Sequence, residues 1–313
     1  MDRLTATNRL TATNRLTATN RLNDGGRLLV ENPQASELYA PLTNSIIPQR
    51  SMGAVSYTRA TIATVTDHEW VIRQCLSGEA RFQWARRVRN LTPYSQDVSI
   101  LWNKFSVTVS WTKVAYTDWS LIGQTIVSAA ASAVHYMSNG TWPVIIWNKY
   151  IFSVSVKAAW VNFVQLAFAA STAYQNFDLT NWSMTGTAGA GSVVSEWDGW
   201  YRCSVTFIST LGTNASQGII IVPSIGWWRL FPYLWDGVSG ISVCRMQLED
   251  VTGQSIQTPS EYVSTNVLTT APFHGSNVDG VKCFKTDISG NPISSSTLKG
   301  FLCEWARTNL FLQ

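Results

Sequence analysis

Charge is scarce in this 313-residue chain, where Asp, Glu, Lys and Arg together make up 13% of residues against about 25% in an average soluble domain. With 45% hydrophobic residues the chain is not held open by self-repulsion and has apolar surface to bury. Its net charge of +4 is small for its length, and the Arg residues do not gather into Lys/Arg runs, so nucleic acid is not an expected partner. Histidine is scarce too. His68, His135 and His274 neighbour neither one another nor a Cys at ligand spacing, which argues against a zinc site. The five cysteines (Cys75, Cys203, Cys244, Cys283 and Cys303) contain no C-x-x-C pair and are odd in number, so free buried thiols of a reducing compartment are expected. No basic segment followed by an apolar stretch opens the chain, and no apolar run reaches bilayer length, so neither a secretory signal nor membrane insertion is expected. G-x-S-x-G, H-E-x-x-H and phosphate-loop patterns are missing.

Tryptophan is what the chain has in excess: 15 copies beside 12 Phe and 10 Tyr. Aromatic residues on sheets fill cores or act as platforms on which sugar rings stack, and core filling is the more frequent use. Residues 3 to 22 read RLTATNRLTATNRLTATNRL. A period of six is even, so an extended strand keeps each residue on one face throughout, whereas a helix of about 3.6 residues per turn would smear it. Arg3 then lies opposite Leu4, and Leu4, Leu10 and Leu16 share a face. Such an arm cannot bury enough surface alone to offset its ordering entropy. Paired with a partner strand, or stacked with symmetry mates in a trimeric stem, it can serve as an attachment or oligomerisation element.

Beyond the arm and the turn-forming Asn23-Asp24-Gly25-Gly26, the β signals become dense. In YIFSVSVKA, Tyr150, Phe152, Val154 and Val156 share one face, and Ser153, Ser155 and Lys157 the other, the pattern of a half-buried antiparallel strand. NFVQLAFA turns Val164, Leu166 and Phe168 inward. WYRCSVTFIS sets Tyr201, Cys203, Val205 and Phe207 opposite Arg202, Ser204 and Thr206, and GISVCRMQLE adds a further strand. Gly/Ser/Asn-rich turns separate them, and no convincing amphipathic helix intervenes. The expected fold is all-β, an antiparallel, jelly-roll-like β-sandwich with an extended N-terminal repeat arm. The organisation follows: arm and hinge over 1–26, an attachment region over 27–95, the sandwich over 96–265, and a C-terminal joining segment over 266–313. That last segment echoes an earlier one, since FLCEWARTNL at 301–310 parallels ARFQWARRVRNL at 80–91.

Acid chemistry finds little footing. Asp198 and Asp236 sit in Trp-Asp-Gly turns, where Asp is an ordinary hydrogen-bonding turn residue. Glu249 and Asp250 end a strand and, being adjacent, point to opposite faces. Catalysis is therefore not expected, and no cofactor or metal is implied. Asp279 in HGSNVDGVK is one carboxylate, too few for calcium. Glycan stacking is the ligand hypothesis with physical support. Trp197, Trp200 and Arg202 in SEWDGWYR, and Trp228, Trp235 and Asp236 in GWWRLFPYLWDG, are the candidates.

The sequence of blocks ARRVRNLTPYSQD, YIFSVSVKA, WYRCSVTF and GISVCRMQLEDVTGQSIQTPSEYVST resembles a module of tailed-bacteriophage virion proteins, a carbohydrate-binding-like or concanavalin-like sandwich, with QLEDV…TPSEYV its most specific part. The resemblance implies a non-enzymatic structural protein of a fibre, a tail or a capsid decoration. It would be assembled in the host bacterial cytoplasm, held by other virion proteins, and homo-oligomeric. The alternative is a receptor-binding adhesin whose partner is a host surface glycan. This chain departs from the family in placing Trp84 and Trp305 where relatives carry Gly, which puts a large side chain where a backbone can need close approach.

Overall fold

In the computed structural model the described residues run from 59 to 293, apart from 140–143, 169–171, 188–189, 213–215, 227–229 and 267–277, with four short strands between Asn20 and Ser51. Arg3, Leu4, Leu10, Leu16, Trp228 and the echo at 301–310 lie outside the described residues. The short strands are β1 (Asn20–Leu22), β2 (Leu28–Val30), β3 (Leu38–Tyr39) and β4 (Arg50–Ser51), with β1 antiparallel to β2 and β3 to β4. There is no helix among the described residues.

Two compact units divide the chain. One comprises Met1–Arg87, Ala271–Val278 and Cys283–Gln313, the other Val88–Thr270 and Asp279–Lys282. In the first, β5 (Ala63–Thr66) and β6 (Ile72–Cys75) form an antiparallel hairpin. Asp67 pairs with Arg73 at 2.9 Å, and buried Glu79 accepts from Arg87 Nη2 and the Leu76 amide, each at 2.8 Å. The short strand β7 (Arg86–Arg89) belongs to the joining motif read above.

The second unit is the sandwich. Its strands in chain order are β8 (Trp102–Phe105), β9 (Val107–Ala115), β10 (Leu121–Ser128), β11 (Ser132–Ala133), β12 (His135–Asn139), β13 (Lys149–Ala159), β14 (Phe163–Phe168), β15 (Tyr174–Asp178), β16 (Met184–Gly186), β17 (Ala190–Ser195), β18 (Trp200–Ile208), β19 (Gln217–Ile221), β20 (Tyr233–Leu234) and β21 (Gly240–Asp250). A last strand, β22 (Val281–Phe284), pairs with β7. One six-stranded sheet has the order β17-β18-β13-β21-β10-β9, the other β16-β15-β14-β19-β12-β8, and every pairing in them is antiparallel. The core lies between them. Tyr150, Phe152, Val154 and Val156 from β13 and Cys203, Val205 and Phe207 from β18 join Val164, Leu166 and Phe168 from β14 in one buried cluster with Ile219 and Ile221. These are the inward faces read from alternation, so the antiparallel β-sandwich stands.

The outward faces depart from that reading. Ser153, Ser155, Ser204, Gln247 and Gln165 are as buried as the core, so β13 is covered on both faces rather than half-solvated. The cover comes from connecting segments: residues 90–97 and 256–266 hydrogen-bond to the first sheet, and Ile225 and Leu230 bond to Asn176 and Gln165 on the second.

Candidate functional site

The covered outer face of the first sheet concentrates the sandwich's polar chemistry. Arg202 is buried on β18. Its Nη2 donates to Ser153 Oγ at 2.7 Å and its Nη1 to the Arg245 carbonyl at 2.8 Å. Burial lowers its pKa below the usual guanidinium range, with Arg245 adding to the effect and Glu196 opposing it. Arg245 reaches this face through a bulge in β21. Ser153 pairs with Gln247 but Ser155 with Cys244, so two residues of β21 oppose one of β13. Arg245 takes a φ of 54° there, as the first residue of such a bulge can. Its guanidinium lies over Tyr116 at 4.7 Å and Tyr262 at 4.9 Å, donates to the Tyr116 hydroxyl, and stands 3.9 Å from Glu196. Cation–ring contact of this kind suits the planar guanidinium.

Toward the other end of β21, the Gln-Leu-Glu block holds the cover in place. Gln247 Oε1 accepts from the Val263 amide at 2.7 Å and its Nε2 donates to Glu249 at 2.8 Å, while Glu249 accepts from the Ser260 amide at 3.0 Å. Burial pushes the Glu249 carboxyl above its ordinary range, against the opposing pull of these bonds. The Tyr262 hydroxyl meets Ser95 Oγ at 2.6 Å. Asn90 donates to the Met246 and Val263 carbonyls at 2.9 and 2.8 Å and accepts from the Thr92 and Leu248 amides at 2.9 and 3.1 Å. Asn90 and the QLEDV…TPSEYV block are thus a weld between sheet and cover. All of a buried peptide segment's polar groups need partners, and these side chains supply them.

The expected glycan residues separate. Trp200 is fully buried, not a platform: its Nε1 donates to the Ala115 carbonyl at 3.1 Å and its ring meets Tyr116 edge-on at 5.4 Å. Gly123 makes room for it, since a Cβ there would lie 2.9 Å from the indole. Arg202 is likewise enclosed, with Nη1 and Nη2 bonded to the Arg245 carbonyl and Ser153. Trp235 is half-buried, donating to Ser239 O at 3.3 Å and packed edge-on to Tyr233 at 5.3 Å. Asp236 caps its own turn by accepting from the Val238 and Ser239 amides at 2.9 and 2.8 Å, and the Ser239 hydroxyl bond holds its carboxyl below the ordinary range. Of the described candidates, Asp236 and Trp197 are open to solvent, and Trp197 is the one exposed tryptophan among them, at 83% exposure.

Exposed tryptophans do cluster at one end of the sandwich. Lys157 pairs with Trp200 and Ala159 with Gly240, so the β17–β18 turn carrying Trp197, the loop after β13 carrying Trp160, and the loop before β21 share that end. Trp182, between β15 and β16, lies 6.5 Å from Tyr201. Lys157 Nζ bonds Asp198 at 2.9 Å beside them. Trp160 and Trp182 were not among the sequence candidates, because neither sits in a Trp-Asp-Gly phrase; Arg245, Tyr116, Tyr262 and Asn90 were missed because their partners are distant in sequence. Among the described residues, no three His, Cys, Asp or Glu side chains come together as metal ligands would.

No protein-family model matches the chain, and no curated protein matches it. Among solved structures it is similar to the enzymatically active domain of tailspike protein 4 from bacteriophage CBA120, at 9% identity and a TM-score of 0.31, covering 51% of this chain and 21% of that one. It is also similar to xylanase 10B modules of Clostridium thermocellum complexed with xylohexaose, at 11% identity and a TM-score of 0.31, covering 55% and 29%. A putative sugar-binding protein from Bacteroides thetaiotaomicron aligns at 10% identity and a TM-score of 0.30, covering 53% and 95%. The chain thus spans less than a third of the length of the first two.

Proposed function

We propose that this chain is a non-enzymatic structural protein of a tailed-phage virion, displaying its sandwich from a fibre, tail or capsid decoration and held through its N-terminal region. The observation that carries the reading is the sealed outer face of the first sheet. The polar side chains under the cover are engaged in internal bonds: Glu249 with Gln247 and Ser260, Arg202 with Ser153 and the Arg245 carbonyl, Gln247 with Val263. A general acid or base needs reach to a substrate proton, and Glu249, buried under the cover, has none. The repeat arm supplies the means of attachment by strand pairing with another virion protein or with its own copies in a trimer. Deleting residues 1–22 tests this: the shortened chain should fail to enter particles, and unchanged incorporation overturns the attachment role.

A second reading is favoured by the exposed Trp160, Trp182 and Trp197 at one end, beside Lys157 and Asp198, an arrangement that suits stacking and hydroxyl recognition of a host surface glycan. Saccharide-array binding that Trp160→Ala and Trp197→Ala both abolish would support it, and an array with no saccharide-dependent signal would refute it.

A further inference from the structure

Seven of the eleven described tryptophans have a left-handed backbone: Trp70, Trp84, Trp119, Trp147, Trp160, Trp182 and Trp197, with φ between 64° and 78°. Bulky residues are outliers in that region, which favours glycine. The chain itself shows what belongs there. In the turn Leu76–Glu79 the fourth amide bonds the first carbonyl at 3.1 Å, and the third residue is Gly78 at φ 76°; in Val251–Gln254 the same bond is 3.1 Å, and the third residue is Gly253 at 75°. Turns 82–85 and 145–148 repeat that bond at 3.3 and 3.1 Å, with Trp84 at 64° and Trp147 at 69° in the third place. A turn of this type requires positive φ at its third residue and takes Gly or Asn.

A second turn repeats bond for bond. In residues 287–291, the Asp287 amide bonds Asn291 O at 2.9 Å, the Gly290 amide bonds Asp287 O at 3.1 Å, and Asp287 Oδ1 accepts from the Ser289 and Asn291 amides; Gly290 has φ 84°. In residues 67–71, the Asp67 amide bonds Val71 O at 2.9 Å, the Trp70 amide bonds Asp67 O at 3.1 Å, and Asp67 Oδ1 accepts from the Glu69 and Val71 amides; Trp70 has φ 65°. The β9–β10 hairpin closes in the same way, with Trp119 at 64°. This left-handed position after a tight turn is a glycine position in three-residue hairpin loops.

The other four described tryptophans have ordinary φ, and Trp102, Trp200 and Trp235 are buried or half-buried by packing. Strained residues that serve a function gather at a site, but these seven do not: Trp147 precedes β13 and Trp160 follows it, at opposite ends of the strand, and Trp70 and Trp84 belong to the other unit. We infer that the seven are glycine positions, and that the codon giving tryptophan at them is decoded as glycine in the cell that makes this protein. The inference goes beyond the structural role proposed above and removes the indoles on which the glycan reading rests.

Two measurements test it. In the gene, the seven should share one codon that differs from the codon of Trp102 and Trp200; one codon common to both groups overturns the inference. In protein isolated from its natural source, tandem mass spectrometry of the peptides spanning residues 70, 84, 119, 147, 160, 182 and 197 should give the glycine mass at each. Tryptophan found there overturns it, while leaving the virion role to be judged by the arm deletion.

Discussion

The β9–β10 hairpin offers a direct measure of left-handed strain, because it carries two tryptophans of similar exposure and opposite backbone. Trp119 is 86% exposed at φ 64°, and Trp111 is 92% exposed within β9 at ordinary φ. Replacing either by Ala or by Gly removes the same indole, so at each site the Ala and Gly variants differ only in backbone terms. At residue 119, Ala keeps a left-handed penalty of about 1–2 kcal/mol, while Gly lacks it but adds roughly 0.4–1 kcal/mol of unfolded-state entropy. Trp119→Gly should therefore be more stable than Trp119→Ala by about 0.5–1 kcal/mol in the expressed tryptophan-bearing chain. At residue 111 there is no penalty to relieve, and glycine in a strand costs about 0.5–1 kcal/mol relative to alanine, so the order reverses. Denaturant midpoints followed by circular dichroism read both differences, and in melting temperature a difference of 1 kcal/mol is about 2–4 °C for a unit of this size. If alanine is the more stable at both sites, the turn does not impose the left-handed conformation and the reasoning fails.

Removing Asn90 with Ala opens four buried backbone groups at once, on Met246, Val263, Thr92 and Leu248, and should cost about 3 kcal/mol or more; a loss under about 1 kcal/mol by urea titration would show that the cover is not welded there. Glu249 has a folded pKa raised by burial, so the folded state holds its proton more tightly, and stability is lost as pH rises from the ordinary carboxylate range through the folded value. Glu249→Gln should flatten that fall, and unfolding midpoints with an unchanged pH slope would contradict the assignment. Burial pushes the Cys75 and Cys283 thiols up to about 12 and those of Cys203 and Cys244 higher than their ordinary value as well. In mildly alkaline buffer these thiols should resist a maleimide until the chain is denatured, and labelling of the native protein at any of them would show local opening.

Alternation along YIFSVSVKA, NFVQLAFA and WYRCSVTFIS was enough to fix which residues face the sandwich core, because side chains on a strand alternate with a period of two whatever surrounds it. The same periodicity is silent on whether the opposite face meets water. Arg202, Ser153 and Ser155 look like surface residues in the sequence and are buried because segments 90–97 and 256–266, far away in the chain, close over the sheet, while Trp200 is buried against Tyr116 and Ala115 of the β9–β10 hairpin. Arg245 falls on the wrong face by counting, since one extra residue in β21 resets the alternation beyond it. Composition likewise announced an excess of tryptophan without saying which were core. Only φ separates Trp102 and Trp200, held by packing, from the seven that sit where the backbone bends left-handed, because the folded backbone, and not residue spacing, decides which turn positions take positive φ.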